Sequence, residues 1–170
     1  MKQILFSVCL LTTIVASAQG DKSKRPSPPA LAKETLNNGT TVSIDYSQPA
    51  VKGRTIGKDL EPMPGQVWRT GANEATVFEV DKDIRIGDQL LPAGKYGLFT
   101  IMNGDDWTII FNKTWKQWGA FSYKEGDDAI RITVKSGKAP QFSERMTFQV
   151  AKDGKITLLW GDIAVSFIVN

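Results

Sequence analysis

The sequence predicts an all-β domain, an antiparallel β-sandwich (jelly-roll-like or related) of roughly nine or ten short strands with two long irregular loops. Three observations carry this. Apolar and polar residues alternate in short runs, as in Ile130, Ile132 and Val134 against Arg131, Thr133 and Lys135, which turns one face inward and the other to water. Turn pairs such as Asn38-Gly39, Gly87-Asp88 and Asp153-Gly154 separate these runs at hairpin spacing. Beyond the N-terminus, no stretch carries the apolar period of a long amphipathic helix.

The elements follow in order. Asn38-Gly39 reverses the chain between residues 34–36 and 41–46, where Val42, Ile44 and Tyr46 share a face. Across residues 47–66, Pro49, Gly53, Gly57, Pro62 and Pro64 break any strand, and a loop that long is either a cap or functional. Thr76, Phe78 and Val80 resume the alternation, Asp81-Lys82-Asp83 turns the chain, and Ile84 and Ile86 make a short strand. Residues 95–101 are apolar on both faces and belong at the sheet centre. Asn103-Gly104-Asp105-Asp106 then turns into Trp107, Ile109 and Phe111. After a second irregular segment at residues 112–128, runs around Ile130–Val134, Met146–Val150, Ile156–Trp160 and Ile163–Val169 read as separate strands. Trp107 and Trp160 are in phase with the core positions.

The N-terminus has the anatomy of a secretory signal: Lys2, an apolar stretch from Ile4 to Val15, and Ala16-Ser17-Ala18 as a cleavage site. Residues 1–18 are therefore expected to be removed, giving an exported protein, periplasmic or extracellular, that does not span a membrane. Residues 19–30, rich in Pro and Lys, read as a flexible leader, and residues 31–170 as a single β domain. The one cysteine, Cys9, lies in the signal, and the chain has no histidine. Cys nucleophiles, Ser-His-Asp triads and His- or Cys-ligated metals are thereby excluded. Of 21 basic residues Lys2 belongs to the signal, leaving 20 against 18 acidic; the leader holds Lys22, Lys24 and Arg25 against Asp21, so the body carries 17 of each. The basic balance belongs to the tail, and no nucleic-acid footprint remains.

The candidate site centres on Val67-Trp68-Arg69-Thr70-Gly71-Ala72-Asn73-Glu74-Ala75-Thr76, where an aromatic, a guanidinium, an amide and a carboxylate crowd outside the alternating pattern. One reading joins Arg54, Arg69, Asn73 and Glu74 in a polar pocket for an anionic group, with Glu74 as the candidate catalytic residue. The other pairs Arg69 or Arg54 with Glu74 to pin the long loop, with Gly71 at positive φ. Trp68, Trp115, Trp118 and Tyr123 either line a rim where they stack on sugar rings or plug the ends of the sandwich. The aspartates at 81, 83, 105, 106, 127 and 128 read as turn chemistry rather than a calcium site, so no metal or cofactor is expected.

Tyr46-Ser47-Gln48-Pro49, Lys52-Gly53-Arg54, the decapeptide 67–76, Leu91-Pro92-Ala93-Gly94-Lys95-Tyr96 and Trp118-Gly119 together resemble domain-of-unknown-function family 2911. The resemblance runs from about Pro28 to the C-terminus and implies an exported, mostly β domain of bacterial origin, without implying an activity. The favoured expectation is a noncatalytic binding or interaction module for a glycan, a small anionic ligand or an envelope protein. The alternatives are a carboxylate-dependent glycan-active enzyme using Glu74 and a ligand-free structural envelope protein.

Overall fold

The computed structural model describes residues 21–170, so the expected signal peptide and Cys9 lie outside the described residues. The described chain forms β1 (Pro29–Thr35), β2 (Thr41–Ser47), β3 (Val67–Trp68), β4 (Thr76–Val80), β5 (Ile84–Ile86), β6 (Gln89–Leu91), β7 (Gly94–Asn103), β8 (Asp106–Asn112), β9 (Asp128–Val150) and β10 (Lys155–Ile168). The main sheet runs β1-β2-β4-β7-β8-β9-β10 as an antiparallel meander, with β3 also on β7 and β5–β6 as a small separate hairpin. Among the described residues, no helix is long and apolar enough to cross a membrane.

The sheet curls until its far end meets its beginning. Ala50, just beyond β2, bridges Arg145 in the second half of β9. There the Val51 N–H donates to the Glu144 carbonyl at 2.9 Å and the Met146 N–H to the Pro49 carbonyl at 3.0 Å. The Tyr46 hydroxyl accepts the Phe148 N–H at 3.1 Å, and the two rings meet edge-on at 5.1 Å. This closure makes the sandwich-like all-β architecture, with one main core inside it.

Alternation decides which side chains fill that core. Val42, Ile44, Phe78, Trp107, Ile109, Phe111, Leu158 and Trp160 are buried within it. Phe111 packs edge-on against Phe78 at 5.0 Å and Phe167 at 5.9 Å, joining β8, β4 and β10. The opposite face of β7 and β8 is also apolar, as the pattern of residues 95–101 requires. Phe99 and Ile110 form a second cluster there with Ala75, flanked by Val67, Ile101, Ala120 and Tyr123. The irregular segment after β8 covers this outer face and so acquires a fixed position.

The structure differs from the sequence reading in two places. The runs expected as four separate strands are two long ones, β9 and β10. Between their halves the β9–β10 register jumps from Ile163↔Lys138 to Gly161↔Ser143, so residues 139–142 bulge out around Pro140, which has no N–H for the ladder. Gly161, at φ +59°, absorbs the bend on the partner strand. The second difference concerns the leader. Residues 22–24 form a 3-10 turn whose N-cap, Asp21, accepts the Ser23 N–H at 3.0 Å, and strand β1 already begins at Pro29. Residues with little apolar surface are held by polar contacts: the Pro28 carbonyl accepts the Gln48 N–H at 2.9 Å and the Ser27 carbonyl accepts Asn73 Nδ2 at 3.1 Å.

Candidate functional site

Strands β3 and β4 lie end to end along one edge of β7, with Trp68 opposite Thr100 and Thr76 opposite Leu98. Residues 69–75 therefore leave the sheet and return to the same edge. Polar residues tie the base of this excursion. Trp68 Nε1 donates to the Gly71 carbonyl at 3.1 Å, Thr70 Oγ1 to Thr100 Oγ1 at 3.1 Å, and Thr76 Oγ1 to the Thr70 carbonyl at 2.7 Å. The left-handed positions are Thr70 (φ +50°) and Asn73 (φ +61°), which corrects the expectation for Gly71. Gly71 is required by space instead: a Cβ there would lie 2.8 Å from Thr76 Oγ1 and 3.2 Å from the Ser47 carbonyl oxygen.

The excursion then pairs with the second irregular segment. Glu74 bridges Trp118, the Ala75 N–H donates to the Gln117 carbonyl at 3.0 Å, and the Gly119 N–H to the Asn73 carbonyl at 3.0 Å. Together these segments wall one side of a cleft of about 400 Å³ on the outer face of β2 and β4. Asp45, Val77, residues Trp115 to Trp118, and Lys22 and Arg25 of the leader all line it. A volume of this size falls in the small-ligand range of roughly 300–1,000 Å³.

Glu74 is the electrostatic centre of the cleft. Its Oε2 lies 2.7 Å from Arg25 Nη1 and its Oε1 3.1 Å from Lys22 Nζ. Burial pushes the carboxyl pKa up, but its own backbone N–H and the Arg25 and Lys22 side chains outweigh that and hold it below the usual value. The Arg25 guanidinium also lies 5.9 Å from the ring centroid of Trp118, a cation–π distance. Trp118 remains 55% exposed, an unusual state for so large an apolar side chain. Asp45 makes no salt bridge among the described residues, and Lys116 is an exposed cation on the rim.

A family model described as "Protein of unknown function (DUF2911)" matches residues 27–169. The chain belongs to this family. No curated protein and no solved structure matches it. In this DUF2911 domain the matched region begins at Ser27, so Lys22 and Arg25, the cations that meet Glu74, stand ahead of it.

The domain brings together only part of the set singled out in the sequence. Glu74 and Trp118 share the cleft, while Asn73 braces the leader through the Ser27 carbonyl. Trp68 is 3% exposed and belongs to the core, not to a rim. Arg54 donates to the Ala50 carbonyl at 2.6 Å and the Val51 carbonyl at 3.1 Å, and borders a separate shallow groove with Phe142 and Ile163. Arg69 makes no salt bridge with Glu74; its Nε is buried with no hydrogen-bond partner among the described residues, and burial pushes the guanidinium pKa down against the opposing influence of Glu61. The pin from Arg54 or Arg69 to Glu74 is thus replaced by one from Lys22 and Arg25.

Tyr123 faces the second core cluster, 5.1 Å from Phe99. Its hydroxyl donates to Asp128 Oδ2 at 2.8 Å and accepts Arg131 Nη2 at 2.5 Å, away from the cleft. Burial first, then the Asp128 hydrogen bond, pushes this phenol up to about 12. Four of the turn aspartates have protein partners as follows: Asp81 accepts the Thr41 N–H, Asp83 the Ala93 N–H, Asp127 Thr114 Oγ1, and Asp106 meets Lys135. Among the described residues no three His, Cys, Asp or Glu side chains converge as a metal site. Sequence reasoning missed Lys22 and Arg25, whose only signal was an unbalanced positive charge ahead of a neutral body; Asp45 was legible only as a conceivable second carboxylate beside Glu74.

Proposed function

We propose that this DUF2911 domain is an exported, noncatalytic binding module, that its ligand site is the cleft around Glu74 and Trp118, and that the ligand is a glycan. The observation that carries the reading is Trp118, half-exposed on the rim of a small-ligand cleft whose lining also offers Asp45, Glu74 and Gln117. A flat aromatic face beside carboxylates and an amide suits a sugar ring, which presents C–H groups to the indole and hydroxyls to the acceptors. Export rests on the signal-like residues 1–18; cleavage after Ala18 would leave Gln19 and Gly20 ahead of Asp21.

An anionic ligand has less support. Arg54 and Arg69 lie outside the cleft, and the leader cations are already paired with Glu74. A glycan hydrolase needs a carboxyl held protonated near neutral pH, whereas with the leader docked Arg25 and Lys22 help to hold Glu74 below its usual range. The binding reading is tested by screening glycans against the mature chain and repeating the strongest hit with Trp118→Ala. Loss of affinity by about tenfold or more, ~1.4 kcal/mol, is expected. Unchanged binding would remove the cleft as the site.

A further inference from the structure

We infer that leader residues Lys22 and Arg25 are a built-in surrogate ligand, and that the external glycan that replaces them carries free amino groups, an ammonium-bearing amino sugar. The inference rests on the glycan reading above and names its ligand class.

Arg25 occupies the cleft as a bound cation would. Its guanidinium is ion-paired to Glu74 at 2.7 Å and lies over Trp118 at 5.9 Å, so one positive group uses the carboxylate and the aromatic face together. Lys22 satisfies the second oxygen of the same carboxylate at 3.1 Å. These are partly exposed contacts of two long side chains, with side-chain exposures of 28% and 50%, and such pairs are weak enough to exchange.

Charge decides what can take their place. With the leader docked, Lys22, Arg25 and Lys116 face Asp45 and Glu74. With it displaced, Lys116 is the cation that remains, among the described residues, to face both carboxylates. A neutral sugar that displaced the leader would leave Glu74 without its counter-charges, while an ammonium sugar restores them and still presents a ring to Trp118. Asp45 makes no salt bridge among the described residues and is placed for a second amino group. The excursion 69–75 and its pairing with residues 117–119 hold Glu74 and Trp118 in place independently of the leader.

The test is calorimetric titration of the chain from Gln19, at low ionic strength, with the disaccharide of glucosamine and with its fully N-acetylated counterpart. The free-amine sugar should bind about tenfold more tightly than the acetylated one. Glu74→Gln should reduce this preference, and Glu74→Gln combined with Asp45→Asn should erase it. The double variant Lys22→Ala/Arg25→Ala should bind the free-amine sugar up to about fivefold more tightly, because the internal competitor is gone. Equal affinity for the two disaccharides would overturn the amino-sugar inference and leave the glycan reading intact. Weaker binding by the double variant would show that the leader builds the site, overturning the surrogate. A peptide of residues 21–26 that saturates the double variant, with no binding of either sugar, would make the ligand a basic peptide and remove both readings.

Discussion

Tyr123 and Trp118 come from the same irregular segment and end in opposite circumstances. The Tyr123 hydroxyl is enclosed by Asp128 and Arg131 over the second core cluster, whereas the Trp118 indole lies half in water. Nothing in residue type separates them, because both are large amphipathic aromatics in a loop. What separates them is the partner each finds from β9 or from the leader. The Tyr123 environment makes a pH prediction with a definite sign. Its phenol titrates near 10.0 when unperturbed and at about 12 in the fold, so the unfolded chain releases this proton first. Stability contributed by the protonated phenol is complete below pH 10.0 and is lost as pH rises through about 12. Urea midpoints measured across that window should fall less steeply for Tyr123→Phe than for the parent chain. Tyr46 and Tyr96, also raised by burial, keep part of the slope in both.

At the scale of elements, the leader is the departure with most consequence. Its residues 21–26 include none that is buried, and it is held by hydrogen bonds to carbonyls and by two cations on one carboxylate. Partly exposed ion pairs contribute about 0–1 kcal/mol each. Deleting residues 21–26 should therefore lower stability by no more than about 1–2 kcal/mol in urea unfolding, with the β-sheet circular dichroism retained. A larger loss would make the leader part of the fold and not a displaceable occupant. Its composition could not announce this docking, because disorder is read from the shortage of apolar residues, and the partner carboxylate lies 49 residues away. Strands with clean alternation were legible: Val42, Ile44 and Tyr46 in β2, or Trp107, Ile109 and Phe111 in β8, are all buried. The continuity of β9 was not legible, since residues 136–145 contain Gly137 and Pro140 and lack a period, yet the strand carries on because it pairs with β10 on both sides of the 139–142 bulge. Gln117 and Trp118 join the decapeptide only through backbone hydrogen bonds, which carry no side-chain signature. The sequence could therefore mark Glu74 and Trp118 separately without showing that they meet.

For the whole molecule, curling the sheet separates the duties of its aromatic residues. Trp107 and Trp160 fill the closed interior, and Trp68 plugs the core beneath the excursion, with its indole N–H on the Gly71 carbonyl. The outer face is left to Trp115 and Trp118, which the second irregular segment carries to the cleft beside Glu74. This division provides internal controls for the central claim, that the cleft is where ligand binds. The most direct measurement is a two-dimensional ¹H–¹⁵N spectrum of the five tryptophan indoles during titration with the glucosamine disaccharide. Saturable shifts of the Trp115 and Trp118 signals, with those of Trp68, Trp107 and Trp160 unmoved, are the predicted result. Saturable binding that leaves Trp115 and Trp118 in place would contradict the account.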